Sequence, residues 1–202
     1  MKNIIKNSLE NAITYQQYRD LVAGLLKEGK STGPNQSEEL LHYSKLNNSR
    51  MKRLDKTFSV AESTVEALKS VAEKYVWLVL VEGWCGDAAQ VLPIINKVAE
   101  ASENIELKIV LRDENEELMN QFLTNGGKSI PKLIMINAES LEVSGTFGPR
   151  PTVATQMVME QKEKYGVLDA AFKEKLQNWY NLDKGKSIES DLLELLNVGQ
   201  LV

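Results

Sequence analysis

The sequence predicts an α/β fold, in which a central mixed sheet of four or five strands is flanked by helices and further helices lie at both ends of the chain. Residues 76–81 form an apolar run of strand length, rich in β-branched side chains, which is typical of a strand buried on both faces. With 202 residues, we expect one domain with a helical N-terminal arm (1–70), a core (71–151) and C-terminal helices (152–202).

The core alternates between strand and helix patterns. Six segments follow one another as strand, helix, strand, helix, strand and strand: 76–81, 87–100, 107–111, 114–123, 132–136 and 141–147. A crossover helix joins the first two strands, which predicts that they are parallel. A short turn joins the last two strands, which predicts an antiparallel hairpin.

Both ends of the chain carry helix signals. Thr14 and Gln17 form a capping-box pattern at the start of one helix, Ser37 is a suitable cap for a second, and a third begins near Glu62. Pro151 suits the first turn of a helix, and three amphipathic runs follow it. We expect the C-terminal helices to pack against the sheet, and the sequence leaves open whether the helical extensions cover the groove around Cys85.

Composition and charge argue against several function classes. The net charge of −4 does not suit a nucleic-acid partner, which requires a dominant basic face. No stretch reaches the ~20 apolar residues of a membrane span, and the N-terminal residues lack a secretory signal pattern. The single cysteine excludes an internal disulfide and fits a reducing compartment, so we expect a cytoplasmic protein.

Other polar features of the sequence are weaker signals. His42 is the only histidine, so no multi-histidine metal site can form, and we expect neither a metal nor a cofactor. A basic run lies in the N-terminal arm, and we expect it to form a solvated helix face. Its members are Lys45, Arg50, Lys52, Arg53 and Lys56. The oligomeric state is left open by the sequence.

One segment places a nucleophile between a buried strand and the helix that follows, where open α/β sheets hold their ligand sites. It reads Trp84, Cys85, Gly86, Asp87 and Ala88. A cysteine at a helix N-terminus meets unpaired N–H groups and the positive end of the helix dipole, which lowers the pKa of the thiol. The carboxylate of Asp87 acts in the opposite direction, because it repels a neighbouring thiolate.

Four sequence landmarks follow one another between residues 71 and 151. They are a Trp-Cys-Gly after the first core strand, a proline in the next helix, an Ile-Pro before the third strand and a glycine after the fourth: Trp84, Cys85, Gly86, Pro93, Ile130, Pro131 and Gly148. In this order they resemble the thioredoxin family. The resemblance implies a thioredoxin fold with Cys85 as the catalytic nucleophile and Ile130-Pro131 as a cis-proline loop. It also implies a substrate groove formed by Trp84, Gly86, Asp87, Ile130, Pro131 and Gly148.

The sequence departs from the family pattern at three positions. Asp87 stands where the family has a proline, Ala88 stands where it has the second cysteine, and Val79 stands where it has a buried aspartate. Without a resolving cysteine, an adduct on Cys85 must be released by an outside thiol. Ordinary dithiol disulfide reduction is therefore not expected. The helical arm ahead of the core resembles a bacterial group of thioredoxin-like proteins.

Three cations follow the strands of the expected core. They are Arg112, Lys132 and Arg150, and the fold implied by the resemblance places their loops around the cysteine. Each one alone is typical of a solvated surface residue. Together they could offset Asp87 and bind an anion, such as the carboxylates of a glutathionyl group.

Three functional hypotheses follow. In the first, the protein is a monothiol redox protein whose Cys85 forms mixed disulfides with a low-molecular-weight thiol or a protein cysteine. In the second, it is a redox-inactive module that binds an extended peptide beside the cis-proline, and Cys85 is a small apolar residue. In the third, Cys85 is a peroxide-sensing thiol that outside thiols recycle.

Overall fold

A four-stranded mixed sheet lies at the centre of the protein. The computed structural model describes residues 1–197, so the last five residues of the predicted C-terminal region lie outside the described residues. The strands are β1 (Tyr75–Val81), β2 (Ile105–Leu111), β3 (Lys132–Asn137) and β4 (Val143–Phe147). Their order in the sheet is β2-β1-β3-β4. β1 and β2 are parallel, whereas β3 is antiparallel to both β1 and β4.

Helices precede, connect and follow these strands. Before β1 lie α1 (Lys2–Glu10), α2 (Tyr15–Lys27), α3 (Glu38–Thr57) and α4 (Glu62–Leu68). Between the strands lie α5 (Gly86–Glu100), a 3₁₀ turn (Arg112–Glu114) and α6 (Glu116–Gln121). After β4 lie α7 (Thr152–Tyr165), α8 (Ala170–Asp183) and α9 (Lys186–Leu195).

The α/β fold class, the mixed sheet and the helical extensions are confirmed, with four strands. One predicted element differs, because the expected helix over 114–123 is a 3₁₀ turn followed by the six-residue α6. Asn115 separates the two pieces: its backbone φ is −126°, and its side-chain amide donates to the Leu111 carbonyl at 2.9 Å. An asparagine side chain that bonds a neighbouring backbone carbonyl in this way competes with helix formation.

The apolar run of β1 is buried because helices cover both faces of the sheet. Trp77, Val79 and Val81 pack in a core with α5, α8 and α9. Leu78 and Leu80 point to the opposite face, where residues of α1 and α6 cover them. All five side chains are 0% exposed. Burial on both faces explains why this strand is continuously apolar rather than alternating.

The N-terminal arm covers one edge of the sheet. Ile13 exchanges two backbone hydrogen bonds with Ile109 of β2, at 2.9 and 2.8 Å. Thr14 then caps α2 through the predicted capping box with Gln17. The contact satisfies part of the β2 edge, which would otherwise present unpaired backbone groups.

The helices do not include a membrane-spanning candidate. Over residues 1–197, none is both long enough and apolar enough to cross a membrane.

Gly148 directly follows β4 and packs against the loop that contains Pro131. Its φ is +104°, and a Cβ placed there would overlap the backbone carbonyl oxygen of Pro131. Both conditions require glycine, because an L side chain disfavours this conformation and a backbone neighbour cannot move aside. The close approach of these two loops therefore depends on the absence of a side chain at residue 148.

We expect Gly148→Ala to lower the free energy of unfolding by roughly 3 kcal/mol, the sum of a strained φ and overpacking. Gly166→Ala is the matched control, because its φ is +73° but nothing lies within 4 Å of the added Cβ. This control should lose only about 1 kcal/mol. Urea unfolding measures both variants, and equal losses would contradict the proposed backbone overlap.

Candidate functional site

Cys85 lies at the carboxyl end of β1 and caps the N-terminus of α5. Its Sγ accepts from the Ala88 backbone N–H at 3.5 Å and donates to the Ile130 carbonyl oxygen at 3.2 Å. Only the protonated thiol can make the second hydrogen bond. The residue is partly exposed, and it packs between the two apolar cores.

The thiol of Cys85 has a pKa raised to about 12. Burial is the largest cause, and the charge of Asp87 is the next. The Ala88 and Asp87 backbone N–H groups and the Arg150 guanidinium act in the opposite direction. The helix N-terminus alone predicts a lowered pKa, but the cost of placing a thiolate in an apolar environment outweighs it.

Asp87 is buried at the first turn of α5 and has two partners. Its Oδ2 forms an ion pair with Nη2 of Arg150 at 2.6 Å, and its Oδ1 accepts from the Tyr180 hydroxyl at 3.0 Å. Burial raises the pKa of Asp87, whereas the ion pair and the hydrogen bond oppose that rise. Burial and the neighbouring Asp87 also hold the pKa of Tyr180 well above its ordinary value.

The C-terminal helices fix the start of α5 from one side. Tyr180 of α8 reaches Asp87, and Gln177, one turn earlier, accepts a hydrogen bond from Gln90 at 2.8 Å. Sequence reasoning missed Tyr180. The available signal was spacing, because Phe172, Leu176 and Tyr180 recur every four residues and all three are buried in α8.

The N-terminal arm fixes the same loop from the other side. The Thr32 hydroxyl accepts from the Gly83 N–H at 2.8 Å and donates to the Glu82 carboxylate. The Asn47 side chain of α3 donates to the Gly83 carbonyl at 3.1 Å. The Cys85 loop is therefore held by side chains that come from both helical extensions.

Glu82 is a second buried acid that sequence reasoning missed. It is 0% exposed, and its carboxylate accepts from the Asp113 backbone N–H at 2.9 Å as well as from Thr32. Burial raises the pKa of Glu82, while these hydrogen bonds oppose the rise. The signal was a glutamate directly after an apolar strand. Its contacts give it a structural role, since they join the N-terminal arm to the 3₁₀ turn.

The three predicted anion contacts are held by different partners. Arg150 pairs with Asp87, as described. Arg112 bonds Asp113 at 2.7 Å, and its guanidinium lies 4.8 Å from the ring centroid of Trp84. Lys132 is buried, and its ammonium donates to the Thr124 hydroxyl at 3.3 Å. Burial lowers the pKa of Lys132. Among the described contacts of these three cations, Arg150 alone reaches Asp87.

The remaining predicted groove residues are Ile130, Pro131 and Gly148, which lie at the loop that accepts the Cys85 hydrogen bond. The Ile130–Pro131 peptide bond is cis, and both residues are buried. Gly148 is half-buried and packs on Pro131. Cys85 takes one of the two lone pairs of the Ile130 carbonyl oxygen, so the thiol competes with an extended peptide for that backbone acceptor.

A cleft of about 820 Å³ opens beside the loop, between α3 and α8. Trp84, Gly86 and Asp87 form its floor, whereas Cys85 is not among its lining residues. Apolar side chains from both helices form much of its walls: Leu40, Tyr43 and Leu46 of α3, and Phe172 and Leu176 of α8. Its volume falls within the range of ligand sites.

The described part of the chain contains no grouping of three or more histidine, cysteine or acidic side chains able to hold a metal ion. His42 is exposed on α3 and packs edge-on against Tyr43. The candidate site is therefore composed of the Cys85 loop, the Asp87–Arg150–Tyr180 network and the cleft.

Comparison with known proteins supports the fold. The sequence model of a family described as thioredoxin matches residues 33–165. Two solved structures are similar: an HIV epitope scaffold with a TM-score of 0.55, and a protein of unknown function from Pseudomonas aeruginosa with a TM-score of 0.54. Each is 18% identical and aligns over 92% of this chain and 98% of its own chain. Among curated proteins, none matches this sequence.

The match extends over more than half of the 202 residues and contains the whole sheet, the Cys85 loop and α5. The same region carries the parallel and antiparallel strand pairs and the proline loop that faces the cysteine. From the match and this architecture together, the chain belongs to the thioredoxin family.

Proposed function

We propose that this protein is a redox-inactive thioredoxin-fold module that binds a peptide segment of another protein in the cleft between α3 and α8. The observation that carries the proposal is that the Cys85 thiol and the open cleft lie in different parts of the site. The Cys85 thiol points to the Ile130 carbonyl, whereas the open space lies over Trp84, Gly86 and Asp87.

The state of the thiol supports this proposal. A nucleophilic cysteine reacts as a thiolate, and a pKa of about 12 leaves Cys85 almost fully protonated near neutral pH. The chain also lacks a second cysteine to resolve a mixed disulfide. The same protonation weighs against the peroxide-sensing hypothesis, because oxidation to sulfenic acid also begins from the thiolate.

The construction of the cleft supports it as well. Both walls come from the helical extensions. Tyr180 bonds Asp87 of the floor, and Gln177, Asn47 and Thr32 bond the adjacent residues Gln90 and Gly83. A site whose floor is already fixed loses little conformational entropy when it binds. Exposed apolar side chains such as Leu46 then contact the ligand.

Monothiol redox chemistry is the second candidate, and the partial exposure of Cys85 favours it. In that reaction the thiolate attacks a disulfide, a Cys85–sulfur bond forms, and the other half leaves as a thiolate. A second thiol molecule such as glutathione then attacks the mixed disulfide and releases Cys85. The partners would be low-molecular-weight thiols or protein cysteines.

The proposal also includes the group to which the protein belongs and its location in the cell. The four helices that precede β1 support assignment to the bacterial group with a helical N-terminal arm. The single cysteine supports a cytoplasmic location.

Alkylation by iodoacetamide tests the state of the thiol, because every modified molecule reports Cys85. We expect the rate in the folded protein to keep rising from about pH 7 to about pH 10 without a plateau. In concentrated urea the same cysteine should level off above about pH 8.5. A folded-state midpoint below that value would favour the monothiol candidate.

Asp87→Asn should accelerate alkylation, because removal of the carboxylate charge lowers the pKa of Cys85 and frees the Arg150 charge to act in the same direction. We expect a roughly threefold to tenfold faster reaction near pH 9, since one pKa unit corresponds to tenfold in thiolate. Glu103→Gln, an exposed substitution of equal charge change, is the control. Circular dichroism establishes that both variants are folded, and an unchanged rate in Asp87→Asn would contradict the electrostatic account.

Retention of peptides from a cysteine-free hexapeptide library tests the binding site. Leu46→Gln should weaken binding of retained peptides by roughly tenfold, because Leu46 lines the cleft and is 39% exposed. Leu21→Gln is the matched control, at 37% exposure on α2 and away from the cleft. Cys85→Ala should bind as the wild type does. An absence of retained peptides, or equal losses in both leucine variants, would contradict the proposal.

A further inference from the structure

The cleft has a cluster of positive charge where it meets the Cys85 loop. Arg50 and Arg53, both on α3, line this end. Within residues 1–197, neither guanidinium forms an ion pair, whereas Arg19, Arg112 and Arg150 each pair with an aspartate. The two side chains therefore carry charge that no carboxylate neutralises by direct contact.

Arg50 is held in a position that disfavours its own charge. Its Nη1 donates to the Asn47 side-chain oxygen at 2.9 Å and would lie 3.7 Å from a Cβ placed on Gly86, the first residue of α5. A cation at a helix N-terminus is repelled by the helix dipole. Burial and the charge of Arg53 also lower the pKa of Arg50. An anion in the cleft would relieve these unfavourable effects together.

The other charged groups of the cleft do not cancel this cluster. Asp87 is paired with Arg150 and Tyr180, and its charge also raises the pKa of Arg50, so it offsets the cluster in part. Lys173 and Glu174, both on α8, add one positive and one negative charge to the lining. Glu39 lies about 16 Å from Arg50 along the axis of α3, at 1.5 Å per residue, and so marks the opposite end. The cleft is positive beside the loop and acidic at its far end.

The length of the cleft suits an extended chain. Its lining residues on α3 run from Glu39 to Arg53 and recur at intervals of three or four, as on one face of a helix. This face is about 21 Å long, the length of about six extended residues. The apolar side chains along it provide contacts for alternate side chains of such a segment.

We infer that the cleft binds an extended acidic peptide segment, whose carboxylates contact Arg50 and Arg53 and whose apolar side chains pack between α3 and α8. This inference rests on the proposed function and adds the chemical class of the peptide. Charge-assisted hydrogen bonds from guanidinium to carboxylate supply the selectivity. The acidic residues of the bound peptide lie at its end nearest the Cys85 loop.

Three fluorescein-labelled, amidated hexapeptides with the same Leu and Phe residues, and with Glu, Gln or Lys at the other positions, test the inference by fluorescence anisotropy. The Glu peptide should bind at least about tenfold more tightly than the Gln peptide, and the Lys peptide most weakly. The double variant Arg50→Gln/Arg53→Gln should remove the preference for Glu over Gln. Lys45→Gln/Lys56→Gln, on the same helix with the same change in net charge but outside the cleft, should retain it.

The outcomes separate the two proposals. Equal binding of all three peptides to the wild type, with the loss in Leu46→Gln retained, would overturn the acidic preference and leave the peptide-binding function in place. Loss of the preference in both double variants would also overturn it, because only overall charge would then matter. Binding of none of the peptides to the wild type would overturn both proposals.

Discussion

The ion pair between Asp87 and Arg150 is the interaction on which the rest of the site depends. An isolated carboxylate at the buried start of α5 would be strongly disfavoured, so the fold must bring a partner to it. Arg150 reaches it from the segment between β4 and α7, and Tyr180 reaches it from α8. Apolar packing seats α8 against the core, and the Tyr180 hydroxyl of that helix then completes the compensation of this one charge.

The same charge acts on the Cys85 thiol, because Asp87 and burial together raise the pKa of Cys85. A carboxylate beside the cysteine and an apolar environment both favour the neutral thiol, and the thiol hydrogen bond to Ile130 is consistent with that state. The positive end of the helix dipole remains, but its effect is of the order of 1 kcal/mol and cannot dominate. Burial and Asp87 thus act in the same direction on the pKa of Cys85.

The sequence predicted the fold better than it predicted the site. The apolar run of β1 and the capping box at Thr14 depend on local pattern, and both the strand and the helix form as expected. Contacts of Cys85 depend instead on segments far away in the chain. Tyr180 is ninety-three residues from Asp87, and no local pattern specifies which carboxylate a buried tyrosine meets. The place of Arg50 could not be predicted either. A basic run on a helix does not reveal that one of its members lies beside Gly86 of the Cys85 loop.

The dependence of the loop on both ends of the chain has a consequence during synthesis. Thr32 and Asn47 leave the ribosome before the loop does, so the N-terminal supports are available at once. Tyr180 follows Asp87 by ninety-three residues, which corresponds to roughly 5 to 19 s at ordinary rates of translation. During that interval the nascent chain holds an aspartate without its tyrosine partner and a cleft with one wall. The cleft is therefore complete only after α8 has emerged and docked.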